Sequence, residues 1–425
     1  MTVTITTVAT YQLLTPGHLG WGIMRTRFRW SAPLALLACG GLVLSGCARF
    51  DDTAAGQTFT PAPVPSPESP PQIQENGTDS GGGPHPGPAQ APPTPVPPPQ
   101  GCKDFDKAVI ATCLDTVSAV AGLPGDGSSP SALAGERKSG RVMLASAGHD
   151  AASFAQLDVQ ADGDGGLTSL ALSPSYVEDQ LVFAYVTTAT DNRVVRFAKG
   201  QAPKPVLTGI PKGPTGNRGA VASDGAGALL VATGDAGNPA SATDPSSLAG
   251  KVLRIDVSGK PAAGNPTAGS AVYAAGLHSP GGICSSSDGQ RRWVTDHPAN
   301  GPDAVYRLQS GQPLSTPAWT WPDKPTLGGC IDFVDATGVL SVASATGLQN
   351  VPVGKDGAVT GKPSVSLDGK GKPGTTYGRL AAMSMVNPQL GVAGTVNKDG
   401  GKPVSSDDRV VLIVMSDTGG GPGKD

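Results

Sequence analysis

The sequence predicts an all-β protein, a six-bladed β-propeller preceded by a signal peptide and a disordered Pro-rich stalk. Three observations carry the propeller. A short strand recurs as Arg141-Val-Met-Leu144, Arg193-Val-Val-Arg-Phe197, Lys251-Val-Leu-Arg-Ile255, Ala304-Val-Tyr-Arg-Leu308 and Arg409-Val-Val-Leu-Ile413. Successive copies lie 52, 58, 53 and 105 residues apart, and the doubled last offset places a degenerate copy near Asn350-Val-Pro-Val353. Further strand-like runs separate the copies, at Gln180–Val186, Ala228–Ala232 and Gly338–Val342, each bounded by Gly, Asp, Asn or Pro. Periods near 50 residues holding several short strands are those of propeller blades. A four-stranded sheet cannot bury both faces alone, and packing the sheets in a ring covers them while leaving short edges. A β-sandwich or jelly roll with accidental likeness among its strands is the competing architecture; it is also all-β.

Composition agrees. Gly (60) and Pro (41) are abundant, and aromatics make up 4% of the chain. The apolar residues are therefore cut into short pieces, which suits strands better than long helices. A net charge of -3 without a long basic run gives no support for nucleic-acid binding.

Residues 1–46 read as a lipoprotein signal peptide. Arg25, Arg27 and Arg29 precede an apolar run, Leu34–Leu44, which ends in Ser45-Gly46-Cys47. The run is too short for a spanning helix of about 20 residues. Leu44-Ser45-Gly46-Cys47 resembles the bacterial lipobox, in which the cysteine is diacylated and becomes the mature N-terminus; two acyl chains anchor stably where one does not. The alternative is an ordinary secretory signal with a chance cysteine. Residues before Met24 are unlike a signal n-region, so Met24 is the expected start. The expected location is the extracytoplasmic face of the cell membrane, with the membrane as partner through Cys47.

Residues 47–100 read as a linker. Pro61 to Pro99 holds fifteen prolines and almost no large apolar residue, so it cannot bury a core. As a coil it would hold the body roughly 40 Å from the membrane. Residues 101–425 make the propeller. Export brings an oxidising compartment. Cys102, Cys113, Cys284 and Cys330 then permit three pairings, of which Cys102–Cys113 and Cys284–Cys330 are favoured because each pair is local. No CxxC or HxxxH spacing suggests zinc.

Motifs go further than periodicity. Glu136-Arg137-Lys-Ser-Gly140-Arg141-Val142, Gly163-Asp-Gly-Gly-Leu-Thr-Ser-Leu-Ala-Leu-Ser-Pro174, Gly227–Asp235 and Gly276-Leu-His-Ser-Pro-Gly-Gly282 together resemble the glucose/sorbosone dehydrogenase family. The likeness runs from about residue 116 to 415. It implies a soluble quinoprotein sugar dehydrogenase with a six-bladed propeller. In that chemistry the cofactor PQQ accepts hydride from a sugar carbon. A His takes the hydroxyl proton, a carboxylate orients the His, Ca²⁺ polarises the cofactor carbonyl, and cationic side chains hold its carboxylates.

The sequence departs at those places. The family's catalytic His aligns with Gly216 of Gly216-Asn217-Arg218-Gly219, which leaves Asp235, the orienting carboxylate, without a partner. The family's cofactor-contacting Arg-Asn pair becomes His278-Ser279. The loop that offers backbone carbonyls to calcium becomes Asp296-His297-Pro298, and Asp164 stands before Gly-Gly-Leu. Asp235, His278 and His297 remain as catalytic candidates, although each His reads first as a polar loop residue at the mouth. The expected ligand region comprises Asp164, Asn217, Arg218, Asp235, His278, Asp296 and His297. A polar mouth without the family's base implies a cell-envelope binding or scaffolding lipoprotein for a glycan or protein. The alternative is an active PQQ- and calcium-dependent aldose dehydrogenase with a relocated base. A hydrolase finds no Gly-x-Ser-x-Gly motif to support it.

Overall fold

The computed structural model describes residues 96–414 apart from 126 and 371–374. The signal peptide, Met24, Cys47 and the linker up to residue 95 lie outside the described residues. No helix among the described residues is long and apolar enough to cross a membrane.

Six four-stranded antiparallel sheets form a ring. Five are plain meanders: β2–β5 (Val117–Gly122, Ser131–Glu136, Arg141–Ser146, His149–Gln156), β6–β9 (Leu167–Leu172, Val182–Thr187, Asn192–Phe197, Lys204–Ile210), β10–β13 (Gly219–Ser223, Leu229–Thr233, Lys251–Ile255, Val272–Ala275), β14–β17 (Pro280–Ser285, Arg292–Asp296, Asp303–Arg307, Trp319–Trp321) and β18–β21 (Leu327–Asp332, Val339–Ser344, Gly347–Pro352, Ser364–Ser366). The sixth joins β22–β24 (Leu380–Asn387, Leu390–Thr395, Val410–Val414) to β1 (Val109–Ala111), which pairs with β24 through Val109 and Val411. The chain thus closes its own ring, and the expected six-bladed propeller is what forms.

Every recurrent strand occupies the same place. The copies at 141, 193, 251, 304 and 409 open or flank β4, β8, β12, β16 and β24, and the degenerate copy falls in β20; all are third strands. Their leading arginines meet acids just upstream. Arg141 takes Glu136 in a two-pronged grip at 2.7 Å. Arg193 and Arg409 each donate through Nε at 2.7 Å, to Asp191 and Asp407. The intervening runs are second strands, and β7 and β11 are buried along their whole length between neighbouring blades. That double burial explains why they read as unbroken apolar runs.

The inner strands β2, β6, β10, β14, β18 and β22 crowd the axis and so use small residues. A Cβ on Gly282 would lie 2.4 Å from Gly329 Cα, so these two strands meet at that separation only as glycines. Short hydroxyls satisfy carbonyls of the next blade: Ser118 donates to Leu167 O at 2.6 Å and Thr168 to Gly219 O at 2.8 Å. The favoured disulfides form. Cys284–Cys330 ties β14 to β18, and Cys102–Cys113 clips the segment before β1. That segment is also held by Asp104 on Arg409 at 3.3 Å and by Tyr377 Oη on Asp106 at 2.8 Å.

Candidate functional site

Residues just upstream of five inner strands, Thr116, Asp164, Arg218, Thr326 and Arg379, line one cavity of about 260 Å³. A second axial cavity of about 360 Å³ runs along the inner strands and shares Ser118 and Thr168 with the first. Its wall mixes small aliphatic residues with serines, and its one charged side chain, Asp332, is already taken by Arg291 and Trp293.

Three arginines dominate the mouth. Arg137 is committed: its guanidinium donates to Gly163 O and Gly165 O at 3.2 and 2.9 Å and pairs with Asp399 at 3.0 Å. Arg218 makes no side-chain hydrogen bond or ion pair among the described residues. Burial pulls its pKa down, while Asp164 and Asp296 push it back, and a guanidinium stays charged in such surroundings. Arg379 is likewise unpaired, and its Nε is buried with no acceptor. Two free guanidiniums facing one cavity are the chemistry of a carboxylate or phosphate receptor.

The turn carrying Arg218 is built by its neighbours. Asp164 accepts the Gly216 and Asn217 N–H groups at 3.1 and 3.0 Å. Asn217 is buried, with its amide donating to Gly213 O at 2.7 Å and accepting from Gly213 N at 2.9 Å. The expectation that Asn217 faces a ligand is therefore corrected: a loop with unpaired N–H groups needs an internal acceptor, and Asn217 is consumed in that role. Gly216 sits at φ +67°, and a Cβ there would fall 2.5 Å from Asp235 Oδ1. Position 216 has no room for any side chain in this backbone.

Asp235 is not left without a partner, contrary to expectation. His278 supplies it: ring Nδ1 lies 3.0 Å from Asp235 Oδ2, and Asp235 N donates to His278 O at 2.9 Å. The other carboxylate oxygen accepts Gly237 N at 2.8 Å. Asp296, expected in the ligand region, is 1% exposed and instead accepts the Ser279 and His278 N–H groups at 2.6 and 3.1 Å. Burial raises its pKa, against the pull of the Ser279 N–H. His278 is thus held at its backbone N, backbone O and Nδ1, with Nε2 left free and the side chain 37% exposed.

His297 is paired too, its Nδ1 against buried Asp303, which also accepts Leu327 N at 3.1 Å. The carbonyls that follow it are occupied. Lys324 Nζ donates to Pro298 O at 2.7 Å and to Ala299 O at 3.1 Å. The donor set therefore does not fit calcium in this loop. Its carbonyls carry an ammonium, Asp296 is spent on backbone N–H groups, and no cluster of three metal-ligating side chains occurs among the described residues. The carboxylates of PQQ do fit Arg218 and Arg379.

Sequence reasoning missed Arg379, Asp303 and Lys324. Arg379 had a usable signal, because it stands directly before an inner strand, as Arg218 does. A lysine between prolines gives no such signal.

The six-bladed propeller is a fold shared with solved sugar dehydrogenases. The model of the glucose/sorbosone dehydrogenase family matches residues 119–325, just under half of the chain. Aldose sugar dehydrogenase YliI of Escherichia coli is 26% identical over 182 residues, 39% of this chain and 49% of that protein. The match thus spans about half the length of this curated relative. Among solved structures, the PQQ-bound aldose sugar dehydrogenase of Streptomyces coelicolor has a TM-score of 0.65 and 28% identity, covering 76% of this chain and all of that one (100%). A putative oxidoreductase (glucose dehydrogenase) of Thermus thermophilus has a TM-score of 0.62 and 28% identity, covering 72% and 98%.

Proposed function

We propose that this chain is an envelope lipoprotein, anchored through diacylated Cys47, whose propeller mouth binds an anionic glycan or similar hydroxyl-bearing anion rather than oxidising a sugar. One observation carries the reading: Arg218 and Arg379 line a single cavity unpaired, beside a position 216 that cannot hold the family's base. Fold alone does not decide activity, so the site must. Guanidiniums preformed for an acid group suit a ligand that carries one, and their remaining N–H groups can bind its hydroxyls.

A second reading rests on the His278–Asp235 pair. A carboxylate holding Nδ1 leaves Nε2 to accept a hydroxyl proton, which is what a relocated base requires. PQQ, when bound, would supply the quinone that takes hydride. Arg218 and Arg379 would hold its carboxylates, and His278 would hold the proton.

Titration of the purified protein with PQQ, and separately with uronate-bearing oligosaccharides, tests the proposal. Oligosaccharide binding that Arg218→Glu abolishes, with no sugar-dependent dye reduction in PQQ, supports a binding role. Saturable PQQ binding with dye reduction that His278→Asn removes would sink it in favour of the dehydrogenase.

A further inference from the structure

The geometry points to Lys324 as the resident cation of the mouth, an ammonium seated where a dehydrogenase of this family would carry a divalent metal. Carbonyls of two consecutive residues, Pro298 and Ala299, converge on Nζ at 2.7 and 3.1 Å. Consecutive carbonyls can aim at one point only if the loop is bent to do so, and the bend is held from three sides. His297 N donates to Ser279 O at 2.9 Å, the His297 ring pairs with Asp303, and Asp303 accepts Leu327 N at 3.1 Å on the far side of Lys324.

Lys324 itself is placed at some cost. Its backbone is left-handed, φ +49°, as is that of Thr326 at φ +59°. Side-chain-bearing residues hold such conformations only where surrounding contacts over-determine them. Lys324 N is fixed on Trp321 O at 3.2 Å, and Pro325 O accepts Ala345 N at 2.8 Å.

The substitution makes chemical sense. Calcium needs six to eight oxygens, whereas an ammonium needs few acceptors and brings its own tether. Two carbonyls completed by water hold a dissociable divalent ion only weakly, whereas a cation that is covalently part of the chain stays in place. The mouth is therefore assembled without ambient calcium. The inference stands whether or not PQQ binds.

The test uses the purified full chain, with Ca²⁺ as probe and Tb³⁺ as a luminescent surrogate that Trp319 and Trp321 would sensitise. The wild type is expected to show no sensitised Tb³⁺ emission and the same Tm in Ca²⁺ and in EDTA. Lys324→Ala keeps the Cβ, so the backbone cost is unchanged and only the ammonium is lost. Its Tm in EDTA should fall by about 2–4 °C, and Ca²⁺ should restore part of that loss. Should the Ala variant fail to fold, Lys324→Gln keeps an N–H donor without charge and should show the same Ca²⁺-dependent recovery. Saturable Tb³⁺ emission from the wild type, displaced by Ca²⁺, would overturn the assignment. So would a Tm loss that Ca²⁺ leaves uncorrected, which reduces Lys324 to an ordinary loop hydrogen bond.

Discussion

His278 and Asp235 hold each other at two points, ring Nδ1 to carboxylate Oδ2 at 3.0 Å and Asp235 N–H to His278 O at 2.9 Å. The pair bridges the third and fourth blades and fills the corner that a side chain at 216 would claim. Asp235 is thus shared between the His278 ring and the turn at Gly216, and Arg218 lies two residues beyond that turn's crowded position.

Placing a His at position 216 should consequently do harm. Gly216→His must adopt φ +67° with its Cβ 2.5 Å from Asp235 Oδ1. A loss of about 1–3 kcal/mol is expected from the backbone alone, read by urea denaturation. A variant as stable as the wild type would show that the turn relaxes readily, and the argument from lack of room would fall.

The two disulfides should contribute unequally. Cys284–Cys330 closes a separation of 46 residues and Cys102–Cys113 one of 11. Chain entropy then gives about 4 kcal/mol for the longer closure and about 3 kcal/mol for the shorter. Cys284→Ala with Cys330→Ala should lower the denaturation midpoint more than the other double replacement. The reverse order would mean that the clip before β1, on which ring closure depends, matters more than loop length.

The architecture was legible because burial imposes it locally. Third strands such as β4 and β8 need a basic residue for an upstream acid and aliphatics for two neighbouring blades, so the copies survive as a pattern. The mouth was legible only in part. Asp164, Arg218 and His278 stand out by residue type, yet Asp164, Asn217 and Asp296 act chiefly as acceptors for turn N–H groups, a need that appears only once the turn exists. Lys324 reads as a solvated loop lysine until two carbonyls of a distant segment close on it.

Acid should act through buried carboxylates such as Asp224. Burial alone would raise its pKa, but N–H groups of Ala228 and Ala226 and the Arg254 guanidinium pull it below the ordinary value. A depressed carboxylate stabilises the fold above its unfolded pKa of about 3.9 and loses that contribution as pH falls through the folded value. Asp224→Asn should therefore be less stable at neutral pH and show a shallower decline between neutral pH and strong acid. Parallel pH–stability curves for variant and wild type would assign the acid limb to other groups.

Tyr185 offers the opposite case, a polar atom whose removal should help. Its ring is fully buried against Gly219, and its hydroxyl has no hydrogen-bond partner. A buried hydroxyl without a partner costs about 1–3 kcal/mol, and burial drives its pKa far above the ordinary tyrosine value. Replacing it with Phe removes that penalty and leaves a void of only one oxygen. Tyr185→Phe is expected to be neutral or to stabilise by about 1 kcal/mol in urea denaturation. A clear loss of stability would mean that an ordered water satisfies the hydroxyl, tying this ring to the Gly216–Gly219 turn and so to the placement of Arg218.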